Sequence, residues 1–128
     1  MCIRDSRLTK RYLAAHDTPS VLRDKDFECK DVFAAAAEGD EAAAAVLEQV
    51  FELMGQFLAN IACVTDPEVI VLGGGVSKAG QVLLDGVTKY FHKYAFHACR
   101  STRITLATLG NDAGAYGAFK LALDEFGA

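Results

Sequence analysis

The longest regular pattern in this chain is a stripe of large apolar residues in its first half. They recur at three- and four-residue spacing, which places them on one face of an α-helix. The stripe comprises Val46, Leu47, Val50, Phe51, Met54, Phe57, Leu58 and Ile61. Asp40 is a good N-cap for this helix, and Thr65-Asp66-Pro67 ends the pattern. We therefore expect a helix of about 36 Å from Asp40 to about Val64 that packs along one side.

Two shorter helices are expected before this long one. Residues 7–16 should be helical because their larger apolar residues share a face. Asp31–Glu38 should form a short helix that ends at Gly39, and the proline and mixed charges of residues 17–30 indicate a loop. The apolar face of the first helix comprises Leu8, Tyr12 and Leu13.

The second half of the chain alternates between strand and helix patterns. Each short apolar run is followed by an amphipathic stretch, which is typical of parallel strands joined by a right-handed crossover. The sequence therefore predicts an α/β fold in which several helices precede a short parallel β-α-β-α unit. The expected elements are a strand at 68–72, a helix at about 79–97, a strand at 103–107 and, after a turn at Gly110, a helix from Asn111 or Asp112 to about Glu125.

Three consecutive glycines at 73–75 follow the first strand. Glycine permits φ > 0 and lets another surface come within contact distance, so such a turn can accept a nucleotide. The common nucleotide motifs are incomplete, however. Gln81 and Val82 stand where a phosphate loop needs Lys and Ser or Thr, and Lys78 stands where a dinucleotide fingerprint needs its third glycine. Taken alone, the glycines indicate a tight turn without a ligand as well as they indicate a nucleotide site.

Longer segments carry more specific information. The sequences D-P-E-V-I-V-L-G-G-G-V-S at 66–77 and A-T-L-G-N-D-A-G-A-Y-G-A at 107–118, with F-L-A-N-I-A at 57–62, resemble the C-terminal part of ROK-family sugar kinases, especially bacterial glucokinases. The resemblance covers most of residues 7–123. It implies a partial actin-like ATPase (ribonuclease H-like) lobe from an enzyme that transfers phosphate from ATP to a hexose.

The resemblance also implies which residues contact the nucleotide. A bare backbone leaves room for a flat ribose or base, so the glycine turn is expected at the adenosine end of ATP, and a second glycine is expected to line the same cleft. The candidate nucleotide-contacting residues are Gly73, Gly74, Gly75, Val76, Ser77 and Gly110. The intact parent is expected to use ATP with Mg²⁺, to carry a structural zinc ion and to form a homo-oligomer.

Several segments of the family have no counterpart in this chain. They are the D-x-G-x-T phosphate motif, the catalytic Asp, the E-x-G-H sugar-binding segment and the C-x-C-G-x-x-G-C zinc motif. We therefore interpret residues 7–128 as the C-terminal, nucleotide-side part of a kinase lobe, with no catalytic residue and no metal ligand of its own. Residues 1–6 (MCIRDS) fit neither the family nor a helix start, and we interpret them as a non-native leader.

Composition and cysteine spacing narrow the function classes. The formal net charge of −4 leaves no general basic surface for nucleic acid. No apolar run approaches the ~18 residues of a membrane span and no secretory leader is evident, which together point to the cytoplasm. The cysteines are widely spaced without a C-x-x-C pair or matching histidines, so free thiols are expected in a reducing compartment. They are Cys2, Cys29, Cys63 and Cys99, and Cys2 is out of register with the family's last zinc cysteine.

The remaining polar candidates are expected to be structural. Asp112 should cap the last helix, and Asp66 should be a turn residue because it precedes a proline and a strand. Lys78 is expected in solvent beside the glycine turn. His92 and His97 are five residues apart on a predicted helix and do not share a face well enough for a metal pair.

The sequence therefore predicts a parent that is an ATP-dependent glucokinase or a closely related hexose kinase, and a chain that is inactive by itself. Two alternatives stay open. One is a fragment of a ROK-type, sugar-responsive transcriptional repressor, which would carry a helix-turn-helix upstream. The other is an interaction domain that binds no ligand.

Overall fold

The helices and strands of the structure follow one another in the order that the sequence predicts. A computed structural model of the chain describes residues 2–23, 26–109 and 112–127, with side chains from Arg7 onward. These residues form a mostly helical α/β fold with two parallel strands. The elements are α1 (Cys2–Ala15), α2 (Cys29–Ala37), α3 (Glu41–Thr65), β1 (Val69–Leu72), a 3₁₀ segment (Gly75–Ala79), α4 (Gln81–Tyr94), a 3₁₀ segment (His97–Cys99), β2 (Arg103–Leu106) and α5 (Ala113–Phe126).

The first helix begins earlier than its apolar pattern predicts. α1 starts at Cys2 rather than at residue 7, so residues 2–6 continue the helix toward its N-terminus. Leu13 is buried on its inward face, and Leu8 and Tyr12 are half-buried. Whether residues 1–6 are a non-native leader is a question of their origin and stays a prediction.

Side-chain caps decide where α2 and α3 begin. Asp40 caps α3 as predicted, since its Oδ1 accepts the Ala43 N–H at 2.9 Å. α2 begins at Cys29, two residues before the predicted start. The reason is local, because the Glu28 N–H donates to Asp31 Oδ2 at 2.7 Å and so stabilises a first turn that an apolar pattern does not reveal.

β1 and β2 form the predicted parallel pair. Val69 is opposite Arg103 and Leu72 is opposite Leu106. Leu72 is buried against the helices, whereas Val71 is 59% exposed on the other face of the sheet. α3 and α4 therefore cover one face, and within the described residues β1 pairs with β2 alone.

α3 and α4 run in the same direction and approach each other through two glycines. A Cβ built on Gly55 would lie 2.5 Å from Tyr90 Cβ and 2.6 Å from the Phe91 backbone nitrogen. A Cβ built on Gly86 would lie 2.6 Å from Phe51 Cγ. Real Cβ atoms do not approach other atoms so closely, so this helix pair requires glycine at both positions.

The apolar stripe predicted for α3 is buried only in the first half of the helix. Phe57 is 64% exposed and Ile61 is 37% exposed, which corrects the expectation that one continuous stripe faces the core. In this half the close contact with α4 and the segment after it is made by Gly55, Ala59 and Ala62, and the larger side chains turn outward. The stripe residues that are buried are Val46, Leu47, Val50 and Phe51, and Met54 and Leu58 are half-buried.

The last helix is exposed along its whole described length. No residue of α5 is buried, although the helix contains several large apolar side chains. Asp112 stands at its N-cap position as predicted, but its side chain makes no capping hydrogen bond. Asn111 and Gly110 lie outside the described residues. The exposed apolar residues of α5 are Tyr116, Phe119, Leu121, Leu123 and Phe126, at 48–88% exposure.

α3 is also long and apolar enough to cross a membrane, by length and composition only, and among the described residues it is the one helix that meets this test. Half of its most apolar stretch is buried inside the protein. The core helix of a soluble protein has the same properties, so α3 is weak evidence for a membrane span.

Candidate functional site

The glycine turn after β1, residues 73–80, is shaped by glycine at its centre. Gly74 has φ +80° and ψ −168°, a conformation that L-residues with side chains rarely adopt. A Cβ built on Gly74 would meet no atom within 4 Å. The backbone therefore requires glycine here for its conformation, and the space in front of it is open to a ligand.

Gly73 lies against the end of the second strand. A Cβ built on it would be 3.4 Å from the Ala107 Cβ, and the Ala107 N–H donates to the Leu72 carbonyl at 2.8 Å. Ala107 is thus a neighbour of the turn that was not singled out from the sequence. The parallel register, in which Leu106 lies opposite Leu72, is the signal that would have found it.

Ser77 stabilises the turn through two hydrogen bonds to the Gly74 carbonyl. Its Oγ donates to the Gly74 carbonyl at 2.7 Å, and its N–H donates to the same oxygen at 3.1 Å. The hydroxyl proton is therefore used inside the turn, and the Ser77 oxygen remains a possible acceptor. Gly80, with φ +64°, ends the 3₁₀ segment, and its N–H donates to the Ser77 carbonyl at 3.0 Å.

Val76 anchors the turn in the core. Its side chain is 7% exposed and belongs to the same cluster as Leu72 and Leu83. A nucleotide at the turn would therefore meet the backbone of Val76 and not its side chain. Gly75 begins the 3₁₀ segment beside it. Of the sequence candidates, residues 73–77 come together in one turn, whereas Gly110 lies outside the described residues.

The helix after the turn is shorter than predicted. α4 runs from Gln81 to Tyr94 and not from 79 to 97, because Gly80 precedes it with φ +64° and Ala95 leaves the helical region with ψ 134°. Lys78 is exposed, as expected, and in the part of the chain that the structure describes it forms no ion pair. It is the cationic side chain nearest in sequence to the turn.

Asp66 is at the opposite end of β1 from the glycine turn. It ends α3 with φ 43°, a left-handed conformation, and its N–H donates to the Ala62 carbonyl. The four-residue strand puts about 13 Å between the two ends of β1. Asp66 is therefore a turn residue, as predicted, and does not reach chemistry at the glycine turn.

The donors around the glycine turn are backbone groups, one hydroxyl and one lysine. Magnesium prefers carboxylate oxygens, so these residues do not fit a magnesium site. Across residues 2–23, 26–109 and 112–127, no group of three or more His, Cys, Asp and Glu side chains gathers. His92 and His97 are both exposed, and His97 lies beside Phe96 with ring centroids 4.2 Å apart.

The cysteines with described side chains form no disulfide with one another. Cys29 and Cys99 are buried and Cys63 is exposed. Burial raises the pKa of the Cys99 thiol, which donates to the Ala62 carbonyl at 3.5 Å. These thiols do not take part in the glycine turn.

Comparison with known proteins gives one consistent result. A model of the ROK family matches residues 5–125. The glucokinase of Halalkalibacterium halodurans is 37% identical over 117 residues, which cover 88% of this chain and 36% of the relative. The N-acetyl-D-glucosamine kinase of Vibrio parahaemolyticus is 35% identical over 88 residues, which cover 69% of this chain and 29% of the relative. The chain thus spans about a third of the length of these curated relatives.

Solved structures agree with the sequence matches. A ROK family glucokinase from Streptomyces griseus, in complex with glucose and AMPPNP, superimposes with a TM-score of 0.82 at 29% identity, covering 94% of this chain and 41% of that chain. A ROK family transcriptional regulator, a homologue of the Escherichia coli MLC protein, superimposes with a TM-score of 0.64 at 26% identity, covering 81% of this chain and 26% of that chain.

Proposed function

The chain belongs to the ROK family, and from that premise we propose that it forms the C-terminal, nucleotide-side part of an ATP-dependent hexose kinase. The observation that carries the proposal is the glycine turn. Gly74 has a positive φ and open space in front of it, so the flat adenosine end of a nucleotide can approach the backbone closely at the end of β1. The Streptomyces griseus relative was solved with an ATP analogue, which supports a nucleotide as the ligand.

The role of this chain in such a kinase is to bind and orient the nucleotide. Phosphoryl transfer needs a carboxylate near the sugar hydroxyl and cations at the phosphates. The described residues near the turn supply backbone amides and carbonyls, the Ser77 oxygen and Lys78. Mg²⁺, the catalytic carboxylate, the sugar contacts and the structural zinc ion are therefore assigned to the rest of the parent protein, which we propose works in the cytoplasm as a homo-oligomer.

Glucose is the sugar that we propose for the intact parent. The glucokinase relative matches 88% of the chain at 37% identity, and the N-acetyl-D-glucosamine kinase matches 69% at 35%. The match to the glucokinase therefore extends over more of the chain. The choice of glucose rests on the relatives, since the described residues show no sugar-binding group.

A transcriptional regulator is the second candidate. The regulator structure superimposes on this chain less well than the glucokinase does, with TM-scores of 0.64 and 0.82. The upstream coding sequence separates the two, because a D-x-G-x-T segment with a C-x-C-G-x-x-G-C motif indicates a kinase and a helix-turn-helix indicates a repressor. An interaction domain without a ligand is the third possibility.

The nucleotide proposal is tested by titrating the chain with AMP-PNP. The NMR chemical shifts of the backbone amides are recorded during the titration. We expect shifts confined to the glycine turn and the adjacent end of β2, and their loss in Gly74→Val. Gly39→Val is the matched control, because Gly39 also has a left-handed φ of +94° and open space around its Cβ position but lies between α2 and α3. Equal loss in both variants, or no shifts in the unmodified chain, would contradict nucleotide binding at this turn.

A further inference from the structure

α3 and α4 are joined along their exposed side by two matching sets of polar contacts. In each set one glutamate of α3 accepts from a lysine and from the tyrosine that follows it on α4. The Tyr90 Oη lies 2.7 Å from Glu48 Oε1, and the Lys93 Nζ lies 2.9 Å from Glu52 Oε1. We define the first rung as Glu48 with Lys89 and Tyr90, and the second rung as Glu52 with Lys93 and Tyr94.

The two rungs are equivalent in chemistry and differ in burial. Tyr90 is 8% exposed, so the first rung closes over the core. Tyr94 is 39% exposed, and the Lys93 side chain lies 4.9 Å over its ring centroid. The second rung can therefore be altered from the solvent side without opening the core.

The spacing of the rungs specifies how α4 is placed along α3. Both the acceptors and the donors are four residues apart, about one helical turn. In the observed register both rungs form, whereas a slip of one turn leaves only one glutamate opposite a Lys-Tyr pair. The close contacts at Gly55 and Gly86 also restrain this register, and the rungs add a directional, hydrogen-bonded restraint on the exposed side of the helix pair.

The position of α4 determines the position of the glycine turn. Gly80 is the last residue of the turn and directly precedes α4, and the Leu84 N–H donates to its carbonyl at 3.3 Å. Val76 of the turn and Leu83 of α4 lie in the same core cluster. A displacement of α4 along its axis would therefore move the turn, although the second rung is about 18 Å away along the helix.

We propose that the two rungs position the glycine turn, and that the second rung acts as a positioning element for the nucleotide site rather than only as a stabilising contact. Glu52, Lys93 and Tyr94 lie about 18 Å from the turn along the helix and would act on it through α4. The nucleotide part of this inference rests on the proposed function, whereas the effect on the turn itself does not.

The test is the double variant Lys93→Met with Tyr94→Phe, which removes the second rung and keeps the apolar parts of both side chains. The reporters are the amides of Ser77 and Gly80, which are hydrogen-bonded inside the turn, and the dissociation constant for ADP. We expect both amides to exchange about three- to tenfold faster and ADP to bind weaker by a similar factor. Glu52→Gln keeps a hydrogen-bond acceptor and Glu52→Ala removes it. The increase in amide exchange and the loss of ADP affinity should therefore be smaller in Glu52→Gln than in Glu52→Ala.

Two controls separate positioning from general stability. Lys120→Met removes an exposed lysine–carboxylate pair with Asp124 on α5 and should change neither reporter. Leu13→Ala in the buried face of α1 should lower the melting temperature at least as much as the double variant, without selective exchange at the turn.

The outcomes distinguish the two proposals. The rungs do not position the turn if the Ser77 and Gly80 amides exchange as slowly in the double variant as in Lys120→Met. The same conclusion follows if Leu13→Ala raises the exchange rates of these amides as much as the double variant does. If the amides behave as expected and the unmodified chain binds no ADP, the positioning role stands and the proposed nucleotide function fails.

Discussion

At Gly74, both the backbone conformation and the open space in front of it favour a residue without a side chain. With φ at +80°, any side chain strains the backbone, and a branched one would fill the open space where we propose that a nucleotide approaches. In the intact parent, we expect Gly74→Val to raise the KM for ATP at least tenfold, a transition-state cost of about 1.4 kcal/mol or more. The KM for glucose should change far less.

Steady-state kinetics with each substrate varied in turn give the measurement for Gly74→Val. Gly39→Val serves as the control for backbone strain, because Gly39 has a similar φ of +94° away from the turn. Unchanged ATP kinetics in a folded Gly74→Val protein would show that the turn is merely structural.

Gly55 illustrates a glycine that is required by packing instead of by φ. Gly55→Ala gains helix propensity of about 1 kcal/mol, but its Cβ would stand 2.5 Å from Tyr90 Cβ and 2.6 Å from a backbone nitrogen of α4. Backbone atoms cannot rotate away, so the helices must separate. We expect a net loss of about 1–3 kcal/mol in the free energy of unfolding, measured in urea.

The matched control for Gly55→Ala is Gly114→Ala on α5. Gly114 is also helical, but a Cβ there meets no atom within 4 Å. The same substitution should therefore be neutral or slightly stabilising at this position. A loss of stability in Gly114→Ala similar to that in Gly55→Ala would mean that close helix packing is not the cause.

Among the elements, the joined pair of α3 and α4 should make stability depend on acidic pH. Hydrogen bonds from Lys89 and Tyr90 lower the pKa of Glu48 below its ordinary 4.5, and hydrogen bonds from Lys93 and Tyr94 lower that of Glu52. A lowered folded-state pKa stabilises the fold at pH values above the unfolded pKa. This contribution is fully present above about pH 4.5 and is lost as the pH falls through the folded values.

The melting temperature between pH 7 and pH 3 measures this dependence. Glu48→Gln should lower the melting temperature at pH 7 and flatten its decline below about pH 4.5. Glu68→Gln, at an exposed carboxylate outside both rungs, should leave the profile unchanged. An identical decline in the unmodified chain and in Glu48→Gln would show that the first rung contributes no pH-dependent stability.

The elements that the sequence predicted well are those whose signals are local. The Asp40 cap, the parallel strands and the ROK resemblance of residues 66–77 were all confirmed. The buried face of α3 was not predicted correctly, because its second half packs through Gly55 and small alanines whose role depends on α4. The nearness of Ala107 to the glycine turn depends likewise on strand register, which a motif does not contain.

On the scale of the whole molecule, the chain spans about a third of the curated relatives that it matches. The described residues leave open space in front of Gly74, and residues 73–80 contain no carboxylate. We therefore expect no phosphorylation of glucose by this chain alone. A coupled assay with glucose, ATP and Mg²⁺ measures it, and turnover above a control without protein would contradict the assignment of catalysis to the rest of the parent.

The exposed apolar surface of α5 leads to the last prediction, which concerns association. Isolated helices shorter than about 12–15 residues are marginal in water, and α5 has 14 residues and none buried. Three aromatic side chains of α5 are 59–88% exposed, and at about 150–250 Å² per ring they leave roughly 400 Å² uncovered. An area of this size lies within the range of the largest apolar patch on a typical monomer.

We therefore expect the isolated chain to self-associate through this surface, with the oligomer fraction rising between low and high micromolar concentration in size-exclusion chromatography with light scattering. Phe119→Ser with Phe126→Ser should shift the chain toward monomer, whereas Phe96→Ser, at a 55% exposed phenylalanine in the loop after α4, should not. Amide hydrogen exchange shows how to interpret the opposite result, a chain that stays monomeric. A monomer whose strands and α5 are strongly protected would show that the chain is a complete domain, and the interaction-domain interpretation would then become the better one.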